Sequence, residues 1–193
     1  AISGSGGVTV LGGEITLQGA NSYHGGTVVS GGTLYVDSAT ALGDTTGSLA
    51  VNGGTLDLYG NSMTVGILTG NGGTITTTNG NATLLANVAS GTTTLATTLT
   101  DGAGSLNLVL DATATGGTVI LTGNNSLSGT IGIVDGTLQA NATGLGGGLV
   151  GLSDGNLRTT ATTSIAGLEL LGSGTDRVSA AVGTTLNVTA ATI

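Results

Sequence analysis

The segment GEITLQGANSYHGGTVVSGGTLYV, residues 13–36, is the clearest indication of the architecture of this chain, because a second version of it follows about a hundred residues later. That version, GTVILTGNNSLSGTIGIVDGTLQA, occupies residues 117–140. At a constant offset of 104, the identical positions include Leu17 and Leu121, Asn21 and Asn125, Ser22 and Ser126, Gly25 and Gly129, Gly32 and Gly136, Thr33 and Thr137, and Leu34 and Leu138. The chain is therefore a repeat protein.

A shorter unit recurs inside the long repeat. It consists of a small residue or Asp, a glycine, a polar residue and an aliphatic residue. Its glycines are Gly13, Gly32, Gly54, Gly73, Gly117, Gly136 and Gly155, with successive spacings of 19, 22, 19, 44, 19 and 19. A period near 20 indicates stacked structural units. We assign one domain, residues 1–193, with internal repeats at about 13–75 and 117–174.

Alternation of aliphatic and polar residues around these glycines predicts short, half-buried strands. The predicted inward positions include Ile15, Leu17, Leu34, Leu56, Met63, Val65, Ile67, Leu121, Leu138 and Leu157. Thr33 and Thr137 are expected to face outward. Dipeptides such as Asn52-Gly53 and Asp154-Gly155 separate the strands, and their glycines are expected to supply the positive φ of the turns.

Such dipeptides also occur in two-residue hairpins, so an antiparallel sandwich is an alternative. Sandwiches show turn signals every 8 to 12 residues, whereas one coil of two or three strands uses about 20. The spacing therefore favours an all-β parallel β-helix, a β-solenoid of about 20 residues per coil. Nine or ten coils stacked at about 4.8 Å would give a rod of about 45 Å.

Composition excludes several classes of protein. Glycine and threonine account for 39 and 37 of the 193 residues, mean hydropathy is +0.43, and proline and cysteine are absent. The aliphatic content argues against disorder, and the lack of cysteine excludes a disulfide scaffold. With a net charge of −8 and two arginines as the only strong cations, we expect no nucleic-acid partner. No apolar run approaches the roughly 18 residues of a membrane helix, so we expect no membrane insertion.

Residues 19–34, GANSYHGGTVVSGGTL, followed by Ala41-Leu42-Gly43, resemble the autotransporter-associated β-strand repeat. This repeat is found in passenger domains of bacterial type V secreted proteins. The resemblance is close over residues 13–58 and degraded over residues 117–157. It implies a right-handed parallel β-helix, exported to the extracellular space or the outer cell surface and serving as a stalk or adhesin.

Catalytic and metal-binding residues are not evident. The sole histidine, His24, lies in a predicted turn where the second repeat has Ser128, and no nucleophile elbow is present. The aspartates lack the fixed spacing of calcium-binding β-rolls. We therefore predict a protein that is not an enzyme and needs no cofactor or metal, so that a chelator leaves its melting temperature unchanged.

Tyr23, Tyr35 and Tyr59 are the candidate ligand-binding residues, because tyrosine rings can stack on a carbohydrate. All three lie in the first 60 residues, so they predict a local patch rather than a continuous strip.

The sequence thus predicts a non-enzymatic, surface-displayed structural β-helix that acts as an adhesin stalk, spacer or filament subunit. The alternatives are an extracellular polysaccharide-degrading β-helix enzyme and a module that binds a glycan or crystal surface. Expected partners are a host or matrix glycan or protein. Because the terminal segments resemble the rest of the repeat, we expect either a fragment of a longer passenger or end-to-end self-association into fibres.

Overall fold

A computed structural model of the protein describes residues 1–192; Ile193, the last residue of the predicted domain, lies outside this range. Residues 1–192 form twenty strands joined by turns, without a helix, and hence without a helix that could cross a membrane. In chain order the strands are β1 (Ser3–Gly4), β2 (Val8–Val10), β3 (Glu14–Leu17), β4 (Ser22–Tyr23), β5 (Thr27–Val29), β6 (Thr33–Val36), β7 (Leu49–Val51), β8 (Thr55–Asp57), β9 (Met63–Thr69), β10 (Thr74–Thr76), β11 (Ala82–Asn87), β12 (Thr92–Leu95), β13 (Thr98–Leu99), β14 (Leu106–Asp111), β15 (Thr118–Leu121), β16 (Thr130–Ala140), β17 (Leu149–Thr159), β18 (Thr163–Leu170), β19 (Arg177–Ala180) and β20 (Leu186–Thr192).

The strands stack in parallel ladders that define three faces of a solenoid of about nine coils. Face one begins with β2, β5 and β7, continues through the end of β9, and passes through β12 and β15 to the second halves of β16 and β17. Face two contains the start of β9, then β11, β14 and the first halves of β16 and β17. Face three is the five-stranded sheet β3-β6-β8-β10-β13.

Paired residues lie 18 to 26 positions apart, as in Val150 with Leu168 and Leu95 with Leu121. Every ladder is parallel, and none joins residues 8 to 12 apart. The predicted parallel β-helix is therefore confirmed, and the hairpin alternative is wrong for the described part of the chain.

The core is a narrow column of aliphatic side chains from successive coils. On face three, Leu34 pairs with Leu56, and Leu56 with Ile75. On face one, Leu138 pairs with Leu157. All six leucines predicted to lie inside are buried: Leu17, Leu34, Leu56, Leu121, Leu138 and Leu157. Since ladder neighbours are about 4.8 Å apart, each side chain packs on its counterparts above and below.

The two long repeats occupy different faces of the solenoid. Strand β6, with Leu34, belongs to face three, whereas the sequence-equivalent second half of β16, with Leu138, belongs to face one. On face three, Leu34 is followed in successive coils by Leu56, Ile75 and Leu99. In the coil after Leu99, the bridge between Thr100 and Ser126 places Asn125 next to Leu99, four coils from Leu34. An offset of 104 residues is thus not a whole number of coils.

Asn21 and Asn125 keep the same role in both repeats. Asn21 Oδ1 accepts a hydrogen bond from the Ile2 N–H at 2.7 Å, and its Nδ2 donates to the Ala41 carbonyl at 2.8 Å. Asn125 Oδ1 likewise accepts from the Leu99 N–H at 2.8 Å, and its Nδ2 donates to the Gly144 carbonyl at 2.6 Å. Both amides are buried, so each joins three successive coils at a corner that strand pairing leaves unsatisfied.

The prediction that Ile67 faces inward is wrong, since its side chain is 41% exposed. The register between β9 and β11 shifts so that Ala86 pairs with Val65 but Asn87 pairs with Ile67. This β-bulge leaves Gly66 as the extra residue and turns Ile67 outward. Leu68 is buried in its place. Ile15 is also 42% exposed, because its coil has a neighbour on one side only in the described structure.

The turn glycines differ from the prediction as well. Gly53 and Gly155 do not have a positive φ. In the turn at Gly53 the positive φ is at Gly54, 63°, and in the turn at Gly155 it is at Asp154, 57°. Gly136 does have a positive φ, but Asp135 before it does too, at 46°.

Candidate functional site

An open cleft of about 560 Å³ lies on the outer surface of face three, over the first coils. Its lining residues, which define the tyrosine cleft, are Glu14, Thr16, Gln18, Tyr35, Asp37, Tyr59 and Thr78. Strand alternation explains the set, because the outward residues of β3 stand beside those of β6, as Thr16 does beside Tyr35. The cleft therefore gathers residues from coils that are about 20 positions apart in sequence.

Two tyrosine rings form one wall of the cleft. The centroids of Tyr35 and Tyr59 are 6.0 Å apart and their planes meet at 81°, an edge-to-face pair within the favoured range of aromatic contacts. Tyr59 is 38% exposed. A ligand in the cleft can thus contact aromatic surface in two nearly perpendicular orientations.

Tyr59 sits in a turn whose geometry is unusual for its residue type. The Asn61 N–H donates to the Leu58 carbonyl at 2.8 Å, and φ is 52° at Tyr59 and 79° at Gly60. Positive φ at both central residues is the type I′ pattern, which favours Asn-Gly. A bulky residue in this region of φ is strained, and such strain is concentrated at functional positions.

Asp57 stabilises this turn through hydrogen bonds to its carboxylate. Its carboxylate is only 2% exposed and accepts hydrogen bonds from the Tyr59 N–H at 2.9 Å, the Thr78 N–H at 3.0 Å and the Thr78 hydroxyl at 2.5 Å. Because Thr78 belongs to the next coil, the buried aspartate fixes Tyr59 to two coils at once. The backbone at Tyr59 is therefore held in a defined position.

Carboxylates share the lining with the two rings. Glu14 and Asp37 are exposed, and Gln18 Nε2 donates to Asp37 Oδ2 at 3.1 Å. The sequence contains no lysine, and its two arginines are Arg158 and Arg177, so no lysine or arginine side chain of the first coils offsets these charges. The cleft combines aromatic surface with uncompensated negative charge.

Tyr23 does not belong to the cleft, which corrects the sequence-based set of three tyrosines. Its side chain is 1% exposed, and its hydroxyl lies 2.6 Å from the buried Thr27 Oγ1. Burial raises the pKa of Tyr23, although the hydrogen bond with Thr27 opposes this effect. A ring enclosed in this way cannot stack on a ligand, so Tyr23 is a core residue.

His24 lies in the bend that follows β4 and is exposed. Its Nε2 is 3.5 Å from Asp44 Oδ2. The pKa of Asp44 is lowered mainly by the Thr46 hydroxyl at 2.6 Å and the Thr46 N–H at 2.8 Å, with a smaller contribution from His24. Among residues 1–192, no group of three or more metal-ligating side chains converges.

A second open cleft, of about 580 Å³, lies beside the bulge at Ile67 and is lined mostly by small residues. Its carboxylate, Asp111, accepts a hydrogen bond from the Thr113 N–H at 2.9 Å, and its pKa is lowered by the Thr113 hydroxyl and N–H. It lacks the aromatic pair and the second carboxylate of the tyrosine cleft, so it offers a ligand fewer specific contacts.

Sequence reasoning found two of the seven lining residues. The spacing of the other residues could have identified them. Asp37 follows Gln18 by 19 positions and precedes Tyr59 by 22, and these are the coil spacings of the glycines. Applying the period to polar residues as well as to glycines would have grouped them.

Comparison with known proteins supports the predicted resemblance to autotransporters. The chain is 38% identical over 138 residues to the adhesin BmaC autotransporter of Brucella suis biovar 1 (strain 1330), across 66% of this chain. The predicted autotransporter resemblance is confirmed. The match spans only 4% of the length of that adhesin. No family model and no solved structure matches the chain.

Proposed function

We propose that this chain is a structural segment of a surface-displayed, adhesin-type autotransporter, and that its β-helix acts as a stalk or spacer. The observation that carries the proposal is the continuity of the parallel ladders from the first coils to β17. The similarity to an autotransporter adhesin supports the cell-surface location.

The mechanism of a spacer is mechanical. Backbone hydrogen bonds between coils run along the axis of the solenoid, and each coil contacts mainly its neighbours, so a pulling force is shared by the ladders of one interface at a time. The buried amides of Asn21 and Asn125 add bonds between coils at the corners. The net charge of −8 opposes adsorption to other acidic surfaces.

Force spectroscopy tests this role. With handles at both ends of the 193-residue chain, we expect stepwise unfolding with contour increments of about 6 to 9 nm, because 18 to 26 residues per coil extend by at most about 3.3–3.6 Å each. Smooth extension without steps at any force would contradict a mechanical function.

Electron microscopy separates the spacer from the filament subunit. A spacer should appear as single rods of about 45 Å, given about nine coils at about 4.8 Å. Filaments with an axial repeat of one rod length would favour end-to-end assembly instead.

Polysaccharide cleavage is the second candidate function, because the tyrosine cleft brings the carboxylates Glu14 and Asp37 to one surface. Glycosidases place the carboxyl group that acts as general acid in a pocket shielded from water, whereas Glu14 and Asp37 are both exposed. This exposure favours the structural role. Release of reducing ends from acidic or neutral polysaccharides, lost in Glu14→Gln, would establish the enzyme.

A further inference from the structure

We propose that the tyrosine cleft binds a lysine or arginine side chain of a basic partner protein. The cleft would bind this cation whether or not the solenoid acts as a spacer, because the contacts involved are local to face three.

The aromatic pair provides the first part of the recognition. A cation near a tyrosine face is attracted by the ring quadrupole, and perpendicular rings let it contact two aromatic surfaces at once. Tyr35 and Tyr59, at 81°, have this arrangement, and both line the cleft.

The carboxylates provide the second part. Glu14 and Asp37 share the cleft with the rings, and the chain has no lysine or arginine before Arg158 to neutralise them. A partner's ammonium or guanidinium group would supply the missing positive charge and donate hydrogen bonds to these oxygens.

The acceptors distinguish a lysine or arginine from a quaternary ammonium group. Quaternary ammonium ions have no N–H to donate and are recognised by aromatic cages. Two rings with acceptors on Glu14, Asp37 and Thr16 match a group that has N–H donors. They also match a cation better than a neutral sugar, which would not offset two negative charges.

The strained turn indicates that Tyr59 is placed for contact rather than for stability. Asn or Gly would adopt the φ of 52° at lower cost, yet the position holds a tyrosine whose ring is 38% exposed. The buried Asp57 carboxylate holds this turn in place through the Tyr59 N–H.

Proton NMR of the intact chain tests the proposal directly. The aromatic spectrum contains only three tyrosines and one histidine, and the buried Tyr23 serves as an internal reference. Titration with Nα-acetyl-lysine amide or Nα-acetyl-arginine amide should shift the ring signals of Tyr35 and Tyr59 and leave Tyr23 unmoved. Raising the ionic strength should weaken the effect.

Three variants give the matched comparison. Tyr59→Asn should bind at least tenfold more weakly while melting no lower than the wild type, because asparagine tolerates positive φ. Glu14→Gln should bind at least threefold more weakly. Glu169→Gln, the same chemical change in β18, should bind as the wild type does.

Several results would overturn the proposal. These are equal weakening by Glu14→Gln and Glu169→Gln, shifts of Tyr23 as large as those of Tyr59, or unchanged affinity in Tyr59→Asn. Selective shifts with choline chloride alone would replace the proposed ligand with a quaternary ammonium group. Selective shifts with maltohexaose alone would replace it with a glycan.

Discussion

The corners of the early coils and those of β16 and β17 place the positive φ on different residues. Early on, a glycine with positive φ ends the turn before a separate strand, as Gly32 at 71° and Gly54 at 63° do. In β16 the positive φ falls on Asp135 as well as on Gly136, in β17 it falls on Asp154, and both corners lie inside unbroken strands of 11 residues.

Space at the corner explains the difference. A Cβ at Gly54 would overlap the Gly32 carbonyl oxygen of the coil above, so no side chain fits. At Asp154 the side chain is partly exposed, and its Oδ1 accepts a hydrogen bond from the Gly174 N–H. A corner position therefore tolerates a side chain where it faces outward and requires glycine where the coils are in contact.

Leucine truncation has the largest expected effect, and it tests whether the two regions share one core. Leu34→Ala on face three and Leu138→Ala on face one should each lower the free energy of unfolding by about 2–5 kcal/mol, as buried leucine truncations do. Chemical denaturation measures both. Thr33→Ser and Thr137→Ser are the outward controls, and losses as large as those of the leucine variants would mean that the faces are reversed.

Exchange of corner residues probes the comparison directly. Gly54→Ala should cost about 1–3 kcal/mol, since the added methyl group overlaps backbone and the φ is unfavourable for alanine. Asp135→Gly should change stability by less than about 1 kcal/mol, because relief of the positive φ offsets the greater flexibility of the unfolded chain. Similar losses in the two variants, seen in their melting curves, would show that both corners are equally crowded.

The buried asparagines give a smaller contrast. Asn125→Ala leaves the buried Leu99 N–H and the Gly144 carbonyl unpaired, and we expect a loss of about 2 kcal/mol. Asn21→Ala should cost about 1 kcal/mol less, because Ile2 is 43% exposed and water can reach its N–H. Amide hydrogen exchange at Leu99 and Ile2 checks this order, which equal protection losses at both sites would contradict.

The smallest effect concerns pH. Burial acts to raise the pKa of Asp101, but hydrogen bonds from Ser128 and from the Leu106 N–H outweigh it, so the pKa is lowered. A lowered pKa in the folded state contributes stability above the pKa of the unfolded chain, and this stability is lost as pH falls through the folded value. Asp101→Asn should therefore reduce the loss of stability between about pH 7 and pH 3 by a few tenths of a kcal/mol, after allowance for solvent screening.

Asp44→Asn is the control for that measurement. The partners of Asp44 are the hydroxyl and N–H of Thr46, two residues away, whereas Ser128 lies 27 residues from Asp101. Local bonds persist in part in the unfolded chain, so the pH dependence should change less. A larger change in Asp44→Asn, measured by denaturation at both pH values, would reverse this ranking.

The period of the glycines and the alternation of aliphatic residues were enough to predict a parallel solenoid and its buried leucines. Both are local properties: a positive φ or a tight turn recurs once per coil, and a strand buries every second residue. The exposure of Ile67 was not predictable in this way, because a bulge depends on how β9 aligns with β11 and not on either strand alone.

For the candidate site, the order of residues alone shows that tyrosines and uncompensated carboxylates occur together in the first 60 residues. Which of these side chains meet depends on how the coils stack in the folded protein. Tyr23 and Tyr35 are both tyrosines of the same coil, yet one ring points into the core and the other onto face three. Inward or outward direction depends on the face and register of each strand, and unequal coils of 18 to 26 residues set that register. The same inequality moved Leu138 to a different face from Leu34, because 104 residues do not close a whole number of coils.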